Sequence, residues 1–335
     1  MRRFRVAVLS RRALLLVPVC AAALGTVLYA AGARHQRTLP DFDGDGKVDV
    51  AIWRPPLLTG GDGTFYARVA ANNFATLASA TLGTLGDVPM CGDFDGDGKT
   101  DLAVYTPVGS HAWSIRLSSQ GFTSITTFQW GTDGDIPFTG DFDGDGKSDI
   151  GVFRPSEGKW YVLMSKTGFT SGAVASWGDA ASVPVVGDFD GDGKADLATI
   201  EPSEVNGLSS WYILQGGTNY GTAFAITAFG GPTVTAVPAD YDGDGKADAA
   251  YFDPATQIFT VRFSKDGSVG TKQFGILGDI PVPADYDGDG KADIAVFRPA
   301  NNNIYVQTAK SLYGDGFIRS FGLVFRDGDV PILAR

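Results

Sequence analysis

One nine-residue string occurs six times in this chain and limits its fold more than any other feature. The string reads Asp-x-Asp-Gly-Asp-Gly-Lys-x-Asp, and its copies begin at Asp41, Asp93, Asp141, Asp188, Asp240 and Asp285. Successive copies start 45 to 52 residues apart. This period is that of a four-stranded β-propeller blade and is longer than most helical solenoid repeats. The repeat therefore predicts a propeller built around acidic loops.

The residues between the acidic loops predict strands. In the third unit, short apolar runs cover residues 136–139, 150–153, 160–164 and 173–177, and glycine or proline separates them. Runs of this length that are rich in β-branched and aromatic residues are typical of strands. No segment after residue 40 keeps a helical 3.6-residue apolar period, so we predict an all-β fold. The six copies of the string predict six blades, each with four antiparallel strands. Seven blades are the alternative.

The two ends of the repeat region predict how the ring closes. Residues 328–335 match the start of a seventh unit and stop where an acidic loop would begin. The first unit has only a weak sequence signal for the equivalent strand, because Gln36 and Arg37 stand where other units have Ile or Val followed by Pro. We therefore expect residues 330–334 to supply the inner strand of the first blade, beside the loop at Asp41. That loop would lack a continuous hairpin and should be the weakest of the six cation sites.

The acidic loops have the residue types that bind calcium. Ca²⁺ takes six to eight oxygen ligands, often from carboxylates that alternate along a tight loop, and glycines allow such a loop to curl. Four converging carboxylates repel one another unless a cation lies between them, which argues against six merely solvated turns. We expect about six Ca²⁺ ions, one per blade, bound by the aspartates at positions 1, 3, 5 and 9 and by the backbone carbonyl of the lysine at position 7. These ligands are Asp41, Asp43, Asp45, Lys47 and Asp49; Asp93, Asp95, Asp97, Lys99 and Asp101; Asp141, Asp143, Asp145, Lys147 and Asp149; Asp188, Asp190, Asp192, Lys194 and Asp196; Asp240, Asp242, Asp244, Lys246 and Asp248; and Asp285, Asp287, Asp289, Lys291 and Asp293.

A second shared motif adds a family resemblance. Several units carry Phe-Gly or Trp-Gly and then Gly-Asp-(Ile/Val)-Pro before the acidic loop, as at residues 130–137 and 274–281. With these motifs the chain resembles the FG-GAP/VCBS repeat family over about residues 38–335. The resemblance implies a calcium-loop propeller like those of integrin α-subunits and many bacterial exported proteins. An EF-hand is excluded, because position 12 of each loop is a strand residue and not the required glutamate.

The N-terminus reads as a targeting segment, which we place at residues 1–33, with the propeller at 34–335. Five arginines precede an uncharged stretch from Ala13 to Ala33, as in a secretory or twin-arginine signal. The stretch is also long enough to stay as a membrane anchor. We expect a secreted, periplasmic or cell-surface protein that contacts a membrane only through this segment, if it is uncleaved. Cleavage would take the net charge from −11 to −16 and leave one cysteine, Cys91.

Composition and motif content favour binding over catalysis. The acidic net charge argues against nucleic acid as a partner, because phosphate-binding faces are basic. His35 and His111 lie in no recognisable catalytic pattern, and we expect His111 to be a solvated turn residue and Cys91 to be buried. We expect the aromatic residues of the third strands to pack in the core and the arginines of the three Arg-Pro pairs to lie in exposed turns. The predicted function is a non-enzymatic binding or adhesion module for glycan or protein; the alternatives are a polysaccharide-active enzyme and a purely structural surface repeat.

Overall fold

The short apolar runs form β-strands, as the sequence predicts. We describe a computed structural model over residues 28–29, 40–57, 60–69, 77–201, 207–301, 303–309, 316–320 and 329–332. Over these residues helical structure is confined to short 3₁₀ segments, such as Ser118–Gln120 and Ser165–Thr167. The fold is therefore all-β, and its described strands form six sheets of the propeller type, not seven.

Each blade is a four-stranded antiparallel sheet, and the chain runs from its innermost to its outermost strand in blades 2 to 6. The strands of blade 1 are β25 (Val330–Ile332), β2 (Val50–Arg54), β3 (Thr64–Arg68) and β4 (Leu77–Thr81); of blade 2, β5 (Val88–Gly92), β6 (Asp101–Tyr105), β7 (Ala112–Arg116) and β8 (Thr126–Gln129); of blade 3, β9 (Ile136–Gly140), β10 (Asp149–Arg154), β11 (Lys159–Leu163) and β12 (Gly172–Ser176); of blade 4, β13 (Val183–Gly187), β14 (Asp196–Glu201), β15 (Ser210–Leu214) and β16 (Ala223–Ile226); of blade 5, β17 (Thr235–Ala236), β18 (Ala249–Asp253), β19 (Ile258–Arg262) and β20 (Val269–Gln273); and of blade 6, β21 (Ile280–Pro281), β22 (Ile294–Arg298), β23 (Asn303–Gln307) and β24 (Gly316–Ser320). A further short strand, β1 (Leu28–Tyr29), pairs in parallel with β13.

The first blade is assembled from both ends of the repeat region. Strand β25 pairs antiparallel with β2, so that Ile332 lies opposite Ala51 and Val330 opposite Trp53. Ile332 is buried. The predicted closure by a C-terminal strand is confirmed for Val330–Ile332, and Leu333 and Ala334 lie outside the described residues. This pairing covers the inner edge of β2 that would otherwise be open to another strand.

Aromatic residues of the third strands fill the space between the sheets. Trp113, Trp160 and Trp211 are fully buried, and the ring of Trp160 packs against Phe138 and Phe153 at about 5 Å between centroids. The prediction of core packing is confirmed for these tryptophans. Their neighbours on the opposite side of the strand are less buried: Tyr161 is half buried, and Tyr212 is 37% exposed, so the prediction of core packing is wrong for Tyr212. No helix in the described part of the chain is long and apolar enough to cross a membrane.

Candidate metal centres

In blades 2 to 6 the acidic loop connects the innermost strand of the blade to its second strand, and in blade 1 the loop lies directly before the second strand, β2. In blade 3 the inner strand ends at Gly140, the loop begins at Asp141, and Asp149 opens the next strand opposite Gly140. Because all six loops take the same place in their blades, they lie together at one end of the propeller. We number loops 1 to 6 by blade and use the positions 1 to 9 of the repeated string.

The carboxylate at position 1 organises each loop. In loop 3 one oxygen of Asp141 accepts the amides of Gly144 and Asp145 at 2.7 and 3.2 Å, and the other accepts that of Gly146 at 2.8 Å. The same three bonds occur in the other five loops. The glycines at positions 4 and 6 have positive φ, as with +79° at Gly144 and +83° at Gly146. Only glycine adopts these angles without strain, so the curled loop depends on both residues.

The carboxylate at position 9 fastens the loop to the blade. In loop 3 one oxygen of Asp149 accepts the amide of Phe142 at 2.9 Å, and the other accepts the amide of Ser165 at 2.7 Å. Asp149 is completely buried. Burial raises the pKa of its carboxyl group to about 7 against the lowering effect of the two amides. Burial likewise raises the pKa of Asp196 in loop 4 to about 8. A buried carboxylate in this setting gains from a cation beside it.

The oxygen donors of each loop fit a calcium ion. In loops 2 to 5 the aspartates at positions 1, 3 and 9 place one oxygen each within 4.8 Å of one another, and in loop 1 positions 1, 3 and 5 do so. The residues at position 5 have a further partner, since Asp145 accepts the amide of Lys147 at 3.0 Å. Converging carboxylates without nitrogen or sulfur donors suit a hard cation such as Ca²⁺. In each of loops 1 to 5, three of the four aspartates identified from the sequence are thus brought together. The lysine side chains project to the neighbouring loop, where a Cβ on Gly144 would lie 3.1 Å from Cε of Lys194.

The arginines of the Arg-Pro pairs do not lie in exposed turns, and that prediction is wrong. Arg154 donates two hydrogen bonds to Asp135, at 2.8 and 2.9 Å, and lies over the ring of Tyr161 at 4.4 Å. The arginine side chain is 19% exposed and the aspartate is fully buried. Blades 1 and 6 repeat the arrangement with Arg54, Asp329 and Tyr66 and with Arg298, Asp279 and Tyr305.

Sequence reasoning missed this trio although a signal was present. In the three blades with the arginine, the unit also has the aspartate of the Gly-Asp-(Ile/Val)-Pro motif. Blade 4 has Ser182 and Glu201 at the two positions, and these side chains hydrogen-bond to each other. Blade 5 also lacks both residues, whereas blade 2 keeps the aspartate, Asp87, with Thr106 in place of the arginine, so the two positions change together only in part. Because carboxylates already neutralise these arginines, they are poorly suited to bind an anionic ligand.

The structure also tests the predictions made for Cys91 and His111. Cys91 is a free, buried cysteine, as predicted. His111 is not a solvated turn residue, because only 19% of its side chain is exposed and its backbone has a φ of +49°. Its Nε2 atom lies 3.4 Å from a carboxylate oxygen of Asp133.

A cleft of about 340 Å³ lies between blades 4 and 5 and opens beside the acidic loops. Its lining combines aromatic rings with charged and amide groups: Phe224, Phe263, Asp190, Gln215, Lys246 and Arg262. Phe224 is 39% exposed. Two of the polar residues, Asp190 and Lys246, belong to loops 4 and 5. The shape of this cleft therefore depends on the two loops.

Comparison with known proteins agrees with this architecture. A profile of FG-GAP-like repeats matches residues 41–104, 93–152, 141–199 and 188–251, and a profile of the FG-GAP repeat matches residues 277–317. A search of curated proteins by sequence gave no match.

Solved structures that resemble this chain do so at low sequence identity. An Agrocybe aegerita lectin that recognises non-reducing terminal N-acetylglucosamine has 16% identity and a TM-score of 0.51, over 82% of this chain and 79% of the lectin. A chain of a nidogen/laminin complex has 11% identity and a TM-score of 0.49, over 80% of this chain and 93% of its own length. A Staphylococcus aureus virginiamycin B lyase has 11% identity and a TM-score of 0.48, over 86% and 89% of the two chains.

Proposed function

This chain belongs to the FG-GAP repeat family, and we propose that it is an exported, calcium-loaded propeller that binds a glycan without chemically changing it. The observation that carries the calcium part is the convergence of buried carboxylates in the repeated loops. FG-GAP propellers are typically extracellular or surface proteins. Calcium is abundant enough outside cells to fill such sites, which agrees with the export signal predicted from residues 1–33.

Calcium would act structurally in this proposal. The ion would rest against the aspartates at positions 1, 3 and 9 and would neutralise carboxylates that otherwise repel one another. A ligand that binds only the folded state stabilises it by about 1.4 to 2.7 kcal/mol per site when its concentration is ten to a hundred times its Kd. Six such loops would make the fold strongly dependent on calcium.

The cleft between blades 4 and 5 supports a glycan as the ligand. A sugar ring has an apolar face that packs on an aromatic ring, and its hydroxyl groups need hydrogen-bond partners. The exposed ring of Phe224 offers the aromatic surface, and Gln215, Asp190 and Arg262 offer the hydrogen-bond partners. A cleft of this size accommodates a small ligand with a few placed polar groups. Recognition of a sugar by the similar fungal lectin propeller is consistent with this assignment.

Thermal unfolding tests the calcium role. We expect the melting temperature in calcium to exceed that in excess EDTA by many degrees. Magnesium should replace calcium poorly, because it needs a smaller octahedral shell and keeps its water. Identical melting temperatures with calcium and with EDTA would refute the structural role.

A glycan array with matched variants tests the ligand. We expect the wild-type protein to bind a restricted set of glycans in calcium and to lose binding in EDTA, because Asp190 and Lys246 line the cleft. Phe224→Ala should abolish binding. Val174→Ala removes an exposed apolar side chain from the outer strand of blade 3 and should leave binding intact. Equal binding by both variants would refute the cleft as the site, and an array without signal would refute the glycan.

A further inference from the structure

Hydrogen bonds join every acidic loop to the next one around the propeller. The amide at position 8 of each loop donates to the backbone carbonyl at position 1 of the preceding loop, as from Ser148 to Asp93 at 2.6 Å. The other five bonds are Thr100 to Asp41 (2.8 Å), Ala195 to Asp141, Ala247 to Asp188 and Ala292 to Asp240 (2.7 Å each), and Val48 to Asp285 (3.2 Å). The last bond links loop 1 to loop 6, so the set closes on itself.

One peptide group therefore faces two loops. The peptide between positions 7 and 8 is planar and trans, so its carbonyl points away from its N–H. In loop 3 the N–H of Ser148 points to loop 2, and the carbonyl of Lys147 consequently points away from loop 2. This lysine carbonyl is the backbone ligand that the loop sequence predicts for its own ion. The same peptide also lies directly before the position-9 carboxylate, which holds the loop to its blade.

We propose that this peptide couples each calcium site to the site of the preceding blade, so that the ions bind cooperatively around a closed ring. The proposal rests on the proposed calcium role and concerns how the same sites are regulated. A cation on the carbonyl of Lys147 polarises the peptide and strengthens the bond that its N–H side donates. That bond fixes Asp93, whose carboxylate organises loop 2. Loading one loop thus orders the preceding one.

Side-chain contacts reinforce the coupling in the same direction. The lysine at position 7 lies over the position-4 glycine of the preceding loop, and a Cβ on Gly96 would lie 3.1 Å from Cε of Lys147. Between loops 2 and 3 the amide of Asp93 also donates to the hydroxyl of Ser148 at 3.1 Å. Thr100 accepts in the same way from Asp41 at 2.7 Å. The four other loops have alanine or valine at position 8 and lack this hydroxyl.

Repulsion between bound ions, taken alone, predicts negative cooperativity of calcium binding, which is the opposite of what the ring of hydrogen bonds predicts. Each bound Ca²⁺ adds positive charge beside its neighbours, so independent sites on one surface would bind later ions more weakly. A sigmoidal calcium-binding isotherm therefore distinguishes the ring of hydrogen bonds from a set of separate loops. Linkage also requires that the coupling be reciprocal, so the loss of one site weakens both of its neighbours.

The test is a calcium titration of the full chain by calorimetry, with equilibrium dialysis to count ions. We expect six ions and a sigmoidal isotherm in the wild-type protein. Asp190→Asn, which damages loop 4, should make the isotherm less steep and raise the midpoint of the remaining sites roughly fivefold or more. Asp266→Asn removes the same charge from an exposed turn and should change neither quantity. Ser148→Ala keeps every proposed ligand and should reduce the steepness by a smaller amount.

The outcomes separate this proposal from the proposed function. A hyperbolic isotherm for the wild-type protein, or an unchanged midpoint of the remaining sites in Asp190→Asn, would overturn the coupling and leave the calcium role intact. No calcium uptake at all would overturn both. Circular dichroism of each variant in calcium confirms that it is folded before its isotherm is interpreted.

Discussion

Blade 1 and blade 3 contain nearly identical acidic loops but are assembled differently. In blade 3 the inner strand β9 continues directly into Asp141, whereas in blade 1 the inner strand is β25, which comes from the other end of the repeat region. The internal bonds of the two loops are nevertheless the same: Asp41 accepts its three amides at 2.7, 3.1 and 2.9 Å, and Asp141 accepts them at 2.7, 3.2 and 2.8 Å.

The two loops differ in how deeply the aspartate at position 1 is buried. Asp141 is buried, and Asp41 is half buried. The bond from Val48 to Asp285 is also the longest of the six between loops. The nine residues thus determine the shape of a loop by themselves, and chain continuity determines how firmly that loop is anchored. We expect blade 1 to be the weakest part of the ring.

Of the changes that distinguish blade 1 from blade 3, removal of residues 329–335 should lower stability the most. It removes the buried Ile332 and Asp329, the partner of Arg54, and opens the inner edge of β2. Burial of an isoleucine side chain is worth about 1.5 to 3 kcal/mol, and an open edge invites aggregation. We expect loss of soluble monomer or a melting temperature lower by at least about 5 °C. A synthetic peptide of residues 329–335 should restore part of the loss, and an unchanged melting temperature would show that β25 does not close the ring.

The pH dependence of stability should differ in sign with and without calcium. In loops 2, 3, 5 and 6 the position-9 carboxyl groups have their pKa raised to about 7, and in loop 4 to about 8, because burial disfavours their charged form. Without calcium, the folded state keeps these protons after the unfolded state has lost them near pH 4. Stability in EDTA should therefore fall as pH rises from 5 to 8.

Saturating calcium should reverse that trend, because the ion needs the ionised carboxylates. Thermal melts in EDTA and in calcium at pH 5, 6, 7 and 8 provide the measurement. A melting temperature in EDTA that rises over this range would contradict the raised pKa of these buried carboxyl groups.

Alanine substitutions of the paired arginines should reveal a smaller difference between blade 1 and blade 3. Arg54→Ala and Arg154→Ala each remove the arginine that pairs with a buried aspartate, which costs about 3 to 5 kcal/mol. In blade 3 Asp135 stays on a continuous chain. In blade 1 Asp329 directly precedes the closing strand, so Arg54→Ala should also release that strand. We expect limited proteolysis to cut the C-terminal segment of Arg54→Ala first, and equal cleavage of both variants there would contradict the special role of blade 1.

The smallest difference should come from single ligand substitutions. Asp43→Asn and Asp143→Asn each remove a position-3 carboxylate, in loop 1 and in loop 3. Because loop 1 should already bind calcium least tightly, Asp43→Asn should lower the melting temperature in calcium less than Asp143→Asn does. Each site contributes about 1.4 to 2.7 kcal/mol when well filled. A larger loss from Asp43→Asn would mean that the discontinuous loop is not the weakest site.

Much of this architecture was predictable from the sequence because the repeat is nearly regular. The period of the Asp-x-Asp-Gly-Asp-Gly-Lys-x-Asp string predicts the blades, and the partial unit at residues 328–335 predicts ring closure. Aspartates at alternate positions with glycines between them predict converging oxygens, since the loop geometry depends only on nearby residues.

The remaining features depend on contacts between distant segments. The pairing of Arg154 with Asp135 needs the register of two strands, and the sequence indicates it weakly, because blades 4 and 5 lack both residues but blade 2 keeps the aspartate alone. The bond from Ser148 to Asp93 joins backbone groups, so no residue type reveals it. The cleft between blades 4 and 5 depends on Phe224 and Arg262, at positions where the repeat varies and spacing carries no information.

The central claim is most directly tested by a crystal structure of the protein grown in calcium, with anomalous differences collected at long wavelength. We predict one calcium peak in each acidic loop, surrounded by carboxylates of the repeated string, with the lowest occupancy in loop 1 at limiting calcium. Ordered loops without any such peak in saturating calcium would contradict the account.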